Sequence, residues 1–333
     1  MKLSIIIPVY NMEKYIEKCL GSIFTNRNID KEFEVICIDD GSKDASVKKI
    51  YEFKEKYYDK LTVISIRNSG VSNARNIGLE NSRGEYVTFV DSDDWLSEDY
   101  LDIIFKSIEE NGDSDLFLFN TVFYGTEEKV KKERVTDTIY NTENHVCCKV
   151  FKNKLIKENK LKFPVEIKLA EDMVFTFKYI YLIDSYTYVD KSIYFYRCDR
   201  EGSTMTSEIN SVYKQIFYAC DELYKYYKEM NINFAKIQEL EYLFIKNIII
   251  RNTPKIIKGN KKIKNIINEI EEEIEYIEEK FPDWINNKYI RNNADKYCSE
   301  KLGDDYKKVL LNFRNKKYLK VMFYFIKGKL LRR

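Results

Sequence analysis

Short apolar runs that stop abruptly at polar clusters dominate the first hundred residues. Phe33–Ile38 is closed by Asp39-Asp40-Gly41-Ser42, and Tyr86–Val90 by Asp91-Ser92-Asp93-Asp94. Leu3–Val9 and Leu61–Ile66 end at Tyr10-Asn11 and Arg67-Asn68. Short runs rich in Ile, Val and Phe are the pattern of strands covered on both faces. The segments between them, Glu13–Phe24, Ala45–Tyr57 and Ser72–Glu80, carry helical spacing, and Ser42 with Lys43-Asp44 is expected to cap the second. This alternation predicts an α/β fold with a parallel, doubly wound sheet. In such sheets ligands bind beyond the carboxyl ends of the strands, so all four polar clusters should converge on one edge. Carboxylates placed there suit a metal-bound nucleotide diphosphate. A third acidic site, Glu171-Asp172, lies far downstream.

The remaining composition narrows the options. A net charge of +2 gives no reason to expect nucleic acid as a partner. The seven cysteines are odd in number and show no C-x-x-C spacing. Reduced thiols in a cytoplasmic setting are expected. No apolar stretch reaches the length of a membrane span, and Leu3–Val9 is too short for a secretory signal. In the middle, Asp115–Tyr124 reads as a strand, Thr126–Asn144 as a loop, Val146–Glu158 and Asp172–Ile183 as helices, and Tyr186–Tyr196 as one or two strands. Beyond Val212 the chain becomes helical and rich in Lys, Ile and Asn. We expect a catalytic domain over 1–207, with halves 1–110 and 111–207, and a helical region over 208–333.

Ser4-Ile5-Ile6-Ile7-Pro8-Val9-Tyr10-Asn11, then Asp39–Ser42, then Asn68-Ser69-Gly70-Val71-Ser72-Asn73-Ala74-Arg75-Asn76, then Val90–Trp95 resemble, in this order, the motifs of family 2 glycosyltransferases. Glu171-Asp172 falls where that family carries its catalytic Glu-Asp pair. The resemblance implies a GT-A (Rossmann-like), mostly parallel sheet flanked by helices and followed here by a mainly α-helical C-terminal region. It implies an inverting transfer of a sugar from a UDP-linked nucleotide donor to a hydroxyl of a glycan or lipid-linked acceptor, in bacterial surface polysaccharide synthesis. A divalent metal, Mn²⁺ or Mg²⁺, is implied as cofactor.

Asp91-Ser92-Asp93 is a D-x-D motif. A hard cation with oxygen ligands can bridge such carboxylates to a diphosphate. On an extended turn alternate residues point the same way, so Asp91 and Asp93 could share this task. By resemblance Asp93 is the metal ligand, Asp91 contacts ribose or metal, and Ser92 belongs to the donor site. Asp94 would orient the sugar or the turn, and the whole cluster could instead cap the next helix with Ser97-Glu98-Asp99. Asp39 would accept the uracil imide N–H, with Asp40 reaching ribose or supporting the loop. Pro8, Val9 and Tyr10 would wall the base pocket. Arg75 and Asn68 would lie against the nucleotide; Arg75 could alternatively pair with Asp39 or Asp40.

Asp172 would be the general base, and Glu171 would bind acceptor or hold its loop. Both acids also suit a helix first turn electrostatically. Trp95 and Lys149 are placed on the acceptor or sugar side. Lys149 follows Cys147-Cys148 where the family often has Trp-x-Lys, so the large aromatic is missing. Tyr196-Arg197 with Ser203 resembles a closing family segment, in which Arg197 or Arg200 could neutralise phosphate. His145, the only histidine, cannot build a histidine metal site. After Asp305 there are ten Lys/Arg and no Asp/Glu, around the apolar block Val321–Ile326. That composition suits either an anionic membrane surface, reached through 306–333 from the cytoplasmic side, or a basic helix packed on the body. A different class, a non-catalytic nucleotide-sugar-binding protein, would share the donor motifs without needing Asp172.

Overall fold

The computed structural model describes residues 1–26, 29–125, 129–131, 138–199, 209–230, 233–259, 262–291 and 306–330. The chain divides into two compact units, one of residues 1–133 and 143–201 and one of residues 134–142 and 202–333.

In the first unit the elements are β1 (Leu3–Val9), α1 (Ile16–Phe24), β2 (Phe33–Asp39), α2 (Ser46–Lys56), β3 (Leu61–Ser65), α3 (Val71–Asn81), β4 (Tyr86–Phe89), β5 (Trp95–Leu96) and α4 (Tyr100–Glu110). There follow β6 (Leu116–Tyr124), β7 (Lys129–Lys131), β8 (Lys149–Lys152), α5 (Asn153–Glu158), α6 (Glu171–Leu182) and β9 (Tyr186–Arg197). The strands form one sheet of order β3-β2-β1-β4-β8-β6-β9-β5, with β7 paired to β6. The four N-terminal strands are mutually parallel, as the alternating pattern requires. The sheet is mixed beyond them: β8 runs antiparallel to both β4 and β6, and β5 antiparallel to β9. The helix expected over Val146–Glu158 is corrected accordingly. Its middle is the buried strand β8, and only Asn153–Glu158 is helical. Four residues with an adjoining helix leave too short an alternation to distinguish a strand from a helix.

Both faces of β1 are covered. Leu3, Ile5 and Ile7 join the large core with Cys19 and Leu20 of α1 and Leu101 and Ile104 of α4. On the other face α3 comes very close, because it presents Ala74 and Gly78, one turn apart. A Cβ on Gly78 would lie 2.4 Å from Ile6 Cγ2. This close seat fixes where α3 points its polar residues. The second helix is not capped by Ser42. Asp44 Oδ1 instead accepts from the Ser46 amide at 2.9 Å, while Ser42 Oγ accepts from Asn11 N–H at 3.0 Å.

The second unit is helical among its described residues: α7 (Ile209–Glu229), α8 (Phe234–Phe244), a π-helical stretch Ile245–Asn252, α9 (Thr253–Gly259), α10 (Ile263–Lys280), α11 (Lys288–Arg291), α12 (Tyr306–Arg314) and α13 (Tyr318–Leu330). Several of its buried polar groups pair with one another. Glu273 accepts from Asn252 Nδ2 at 2.9 Å and Thr253 Oγ1 at 2.7 Å. α12 buries Tyr306, Val309, Leu310 and Phe313, and α13 buries Val321 and Met322, so one face of the basic tail is packed. Leu319, Phe323 and Ile326 are exposed on the last helix. No described helix is long and apolar enough to cross a membrane.

At the amino ends of β1 and β4, Gly84 N–H donates to Ser4 Oγ at 2.8 Å, and Ser4 donates to buried Glu34 at 2.7 Å. A Cβ on Gly84 would lie 2.5 Å from Ser4 N and 2.7 Å from Tyr86 O, both backbone. Gly84→Ala should therefore destabilise the protein by about 1–3 kcal/mol, read as a lower urea midpoint. An unchanged midpoint would show that the turn relaxes freely.

Candidate active site

The four polar strand ends do meet, laced by backbone hydrogen bonds. Asn11, at φ 53°, opens the loop after β1, and its Oδ1 accepts from Lys43 N–H at 2.8 Å. Pro8 and Val9 are buried beneath this edge and Tyr10 is exposed on it. Asp39 Oδ1 accepts from Ser42 N–H at 3.0 Å, while Oδ2 has no partner among the described residues. Gly41 sits at φ 74°, where a Cβ would approach Asn68 N to 3.0 Å. Asp40 faces the protein. Its Oδ1 accepts from Ser69 N–H at 2.7 Å and its Oδ2 from Gly70 N–H at 2.8 Å, at the start of α3. A carboxylate there also complements the helix dipole. Asn68 Nδ2 donates to Asp40 O at 3.0 Å, so Asn68 too supports the loop.

Arg75, one turn into α3, is 3% exposed and reaches three carboxylates. Nη2 donates to Asp91 Oδ1 at 2.9 Å; Nη1 donates to Asp172 Oδ1 at 2.7 Å and Glu171 Oε1 at 3.1 Å. Its pairing with Asp39 or Asp40, considered from the sequence, is not found. Instead it joins the D-x-D motif to the Glu-Asp pair. Burial works against the Arg75 charge, but Asp172, Asp91 and Glu171 outweigh it and hold the guanidinium firmly protonated. The carboxylates outnumber their countercharge. Burial, with Asp172 beside it, pushes Glu171 up to about 7. Burial also raises Asp172, against the opposing pull of Arg75. Ala170, at φ 72°, turns the chain into α6 so that both acids sit in its first turn. Asp172 Oδ2 accepts from Val146 N–H at 3.2 Å, so both of its oxygens are oriented.

The D-x-D segment is not extended. Asp94 N–H donates to Asp91 O at 3.0 Å, closing a tight turn. The alternation argument for Asp91 and Asp93 therefore fails, and the turn separates the roles of its members. Asp91 points to Arg75, with 31% of its side chain exposed, and Asp93 is half-buried. Ser92 is buried. Asp94 is buried and clamps the turn, accepting from Tyr194 Oη at 2.6 Å and Arg197 N–H at 2.8 Å. Burial, then Asp91 and Asp93, push Asp94 up to about 8. Tyr194, not anticipated from the sequence, also accepts from Asp91 N–H at 3.0 Å. Arg197 Nε donates to the Asp93 carbonyl at 2.9 Å. Ser97-Glu98-Asp99 gives no side-chain cap to α4.

Trp95 stacks on Phe195 at 5.5 Å and is nearly covered. Lys149 is fully buried and donates to His145 O at 2.8 Å, so it braces the loop before β8 and does not face an acceptor. Arg200 and Ser203 lie outside the described residues. Among the described residues no group of three or more His, Cys, Asp or Glu could by itself hold a metal ion.

The raised Glu171 gives a test of this electrostatics. In the unfolded chain its acid has the ordinary value near 4.5, against about 7 when folded. Between those values the folded acid keeps a proton that the unfolded chain has lost, so stability falls as pH rises from the ordinary value to about 7 and levels off above it. Glu171→Gln should raise the urea midpoint at about pH 8 and leave it unchanged at about pH 4. A midpoint that falls at the higher pH would mean that the ionised acid is net stabilising.

Residues 4–164 match the family model for glycosyl transferase family 2. A poly(ribitol-phosphate) beta-glucosyltransferase of Bacillus spizizenii is 35% identical over 214 residues, which are 62% of this chain and 34% of that protein. The chain thus spans about a third of that relative's length. The poly(ribitol-phosphate) beta-N-acetylglucosaminyltransferase TarP of Staphylococcus aureus is 29% identical over 318 residues, 90% of this chain and 92% of TarP. Residues 1–349 of S. aureus TarS, solved with UDP-GlcNAc, align with a TM-score of 0.70 at 24% identity over 99% of this chain and 92% of that one. The TarS likeness carries the GT-A fold. With the motif order and the sheet, these matches identify residues 4–164 as a glycosyl transferase family 2 domain.

Proposed function

We propose that the protein transfers a sugar, with inversion, from a UDP-linked donor to a hydroxyl of a surface glycan, the polyol-phosphate class named in its relatives being the favoured acceptor. The observation that carries this reading is the shared guanidinium: Arg75 holds Asp172 and Asp91 on its two terminal nitrogens. A carboxylate fit to take a proton therefore stands beside the turn that faces the leaving diphosphate.

The uracil imide N–H would donate to Asp39 Oδ2, with Tyr10 against the base and Pro8 and Val9 beneath it. Asp172 would take the acceptor proton as the hydroxyl oxygen attacks the anomeric carbon opposite the leaving UDP. Burial raises the proton affinity of this acid, which suits a base, and Arg75 and Val146 N–H fix its direction. Glu171 would lie along the acceptor path. Asp91 and Asp93 offer hard oxygen donors of the kind Mn²⁺ or Mg²⁺ accept. Two carboxylates alone are too few to hold a hard cation, so Asp91 and Asp93 would hold one only together with the nucleotide. Once bound, the cation would supply positive charge to the departing UDP. A nucleotide-sugar donor implies work on the cytoplasmic side of the membrane. The exposed Leu319 and Phe323 on basic α13 support contact with an anionic bilayer. Leu319→Ser with Phe323→Ser should reduce sedimentation with anionic liposomes, and unchanged sedimentation would remove that contact. A purely nucleotide-sugar-binding role is less well supported, because it gives no reason to orient both oxygens of Asp172.

With a panel of UDP-, GDP- and dTDP-sugars, nucleotide release should occur with one UDP-sugar and be lost in Asp93→Ala. Asp172→Asn should lower kcat by about 10²–10⁴-fold while leaving UDP affinity intact in calorimetry. An Asp172→Asn enzyme that turns over like wild type would exclude this base.

A further inference from the structure

Lys149, the first residue of β8, and Asp172, in the first turn of α6, touch opposite ends of one peptide group. Lys149 Nζ donates to His145 O at 2.8 Å. The N–H of the same peptide, on Val146, donates to Asp172 Oδ2 at 3.2 Å. A peptide is planar and its C=O and N–H point in opposite directions, so a cation that fixes the carbonyl also fixes the N–H. Hydrogen bonds in series polarise one another, and the ammonium therefore strengthens the bond to the carboxylate. The chain folds back on itself to make this contact: Cys148, at φ 62°, turns it between Cys147 and Lys149. His145 Nδ1 lies 2.9 Å from Cys147 O within the same loop.

The Lys149 side chain is fully buried. Removing an ammonium from water is expensive, so packing alone gives no reason for a lysine at this place. The peptide it holds lies where the reaction needs order. A general base must be ionised and aimed. Burial disfavours the ionised form of Asp172, and the Val146 N–H is one of the groups that favour it. Arg75 orients the other oxygen, Oδ1, at 2.7 Å. The direction of the carboxylate is thus set from α3 on one side and from the loop before β8 on the other. Thr176, one turn further along α6, also holds this loop, since its Oγ1 donates to Asn144 O at 3.1 Å. That bond braces the neighbouring peptide and does not touch the one that faces Asp172.

We propose that Lys149 is a positioning residue for Asp172, acting through the His145–Val146 peptide. Fully buried, it meets neither donor nor acceptor; it fixes the peptide whose N–H orients the carboxylate. The proposal rests on the reading of Asp172 as general base and deepens it by naming what aims that base.

Lys149→Met fills much of the stem's space and removes the donor with its charge. Thr176→Val removes the other loop bond and is the control for bracing alone. UDP release by the full chain would be followed at steady state with the UDP-sugar that serves as donor and a polyol-phosphate oligomer. Calorimetry gives UDP affinity, and thermal unfolding confirms the fold. Lys149→Met should lower kcat by about tenfold or more and leave UDP affinity within about twofold of wild type, while Thr176→Val keeps kcat within about threefold. Should Lys149→Met not fold, Lys149→Gln, one atom too short for His145 O, is read by the same criteria. A smaller loss of kcat in the folded variant, a matching loss of UDP affinity, or an equal loss in Thr176→Val would overturn the role of Lys149. The transferase reading stands in each of those cases as long as Asp172→Asn still loses turnover. If Asp172→Asn turns over like wild type, or wild type releases no UDP, the base and its positioning residue fall together.

Discussion

The contact of Arg75 with three carboxylates is what makes one site of three distant pieces of chain. Helix α3, the turn after β4 and the first turn of α6 each contribute one side of it. Burying such ions costs several kcal/mol each before they attract one another, so the cluster is weak evidence of stability. Its effect is positional. Asp172 cannot move far from Asp91 without leaving a buried charge uncompensated. The close seat of α3 on β1 at Gly78 and on β2 at Ala74 fixes the point from which the guanidinium reaches.

Around this hub the acidic residues divide by what they hold. Asp40 and Asp94 are spent on the protein: one secures the start of α3, and the other secures the D-x-D turn through Tyr194 and Arg197. Asp39 leaves one oxygen without a partner among the described residues, and Asp93 stands half-buried on the clamped turn. A loop edge built this way presents charge to a substrate without having to be ordered by it.

Much of this was legible in the sequence. The parallel strands β1 to β4 are long enough and apolar enough to declare themselves, and their polar ends mark the edge at which the loops meet. Strand β8 was not legible, because a run as short as Lys149–Lys152 against a following helix has no distinct period. The motifs name segments that the structure brings together, but not the division of labour within them. What each of Asp39, Asp40, Asp93 and Asp94 holds depends on turn dihedrals that adjacent residues set together. Two of the three partners of Arg75 were hidden for a different reason, since they lie 96 and 97 residues away along the chain. Lys149 shows the converse error: its position fits a motif, but its side chain is buried under the loop it braces.

The most direct test of Arg75 as the organising contact is a double-mutant cycle on unfolding free energy, with Arg75→Met, Asp91→Asn and the pair combined. The account predicts non-additivity, with the double variant retaining at least about 1 kcal/mol more stability than the two single losses would sum to. Additivity within about 0.5 kcal/mol would contradict it, and would leave the acidic turn and the Glu-Asp pair as neighbours without a shared anchor.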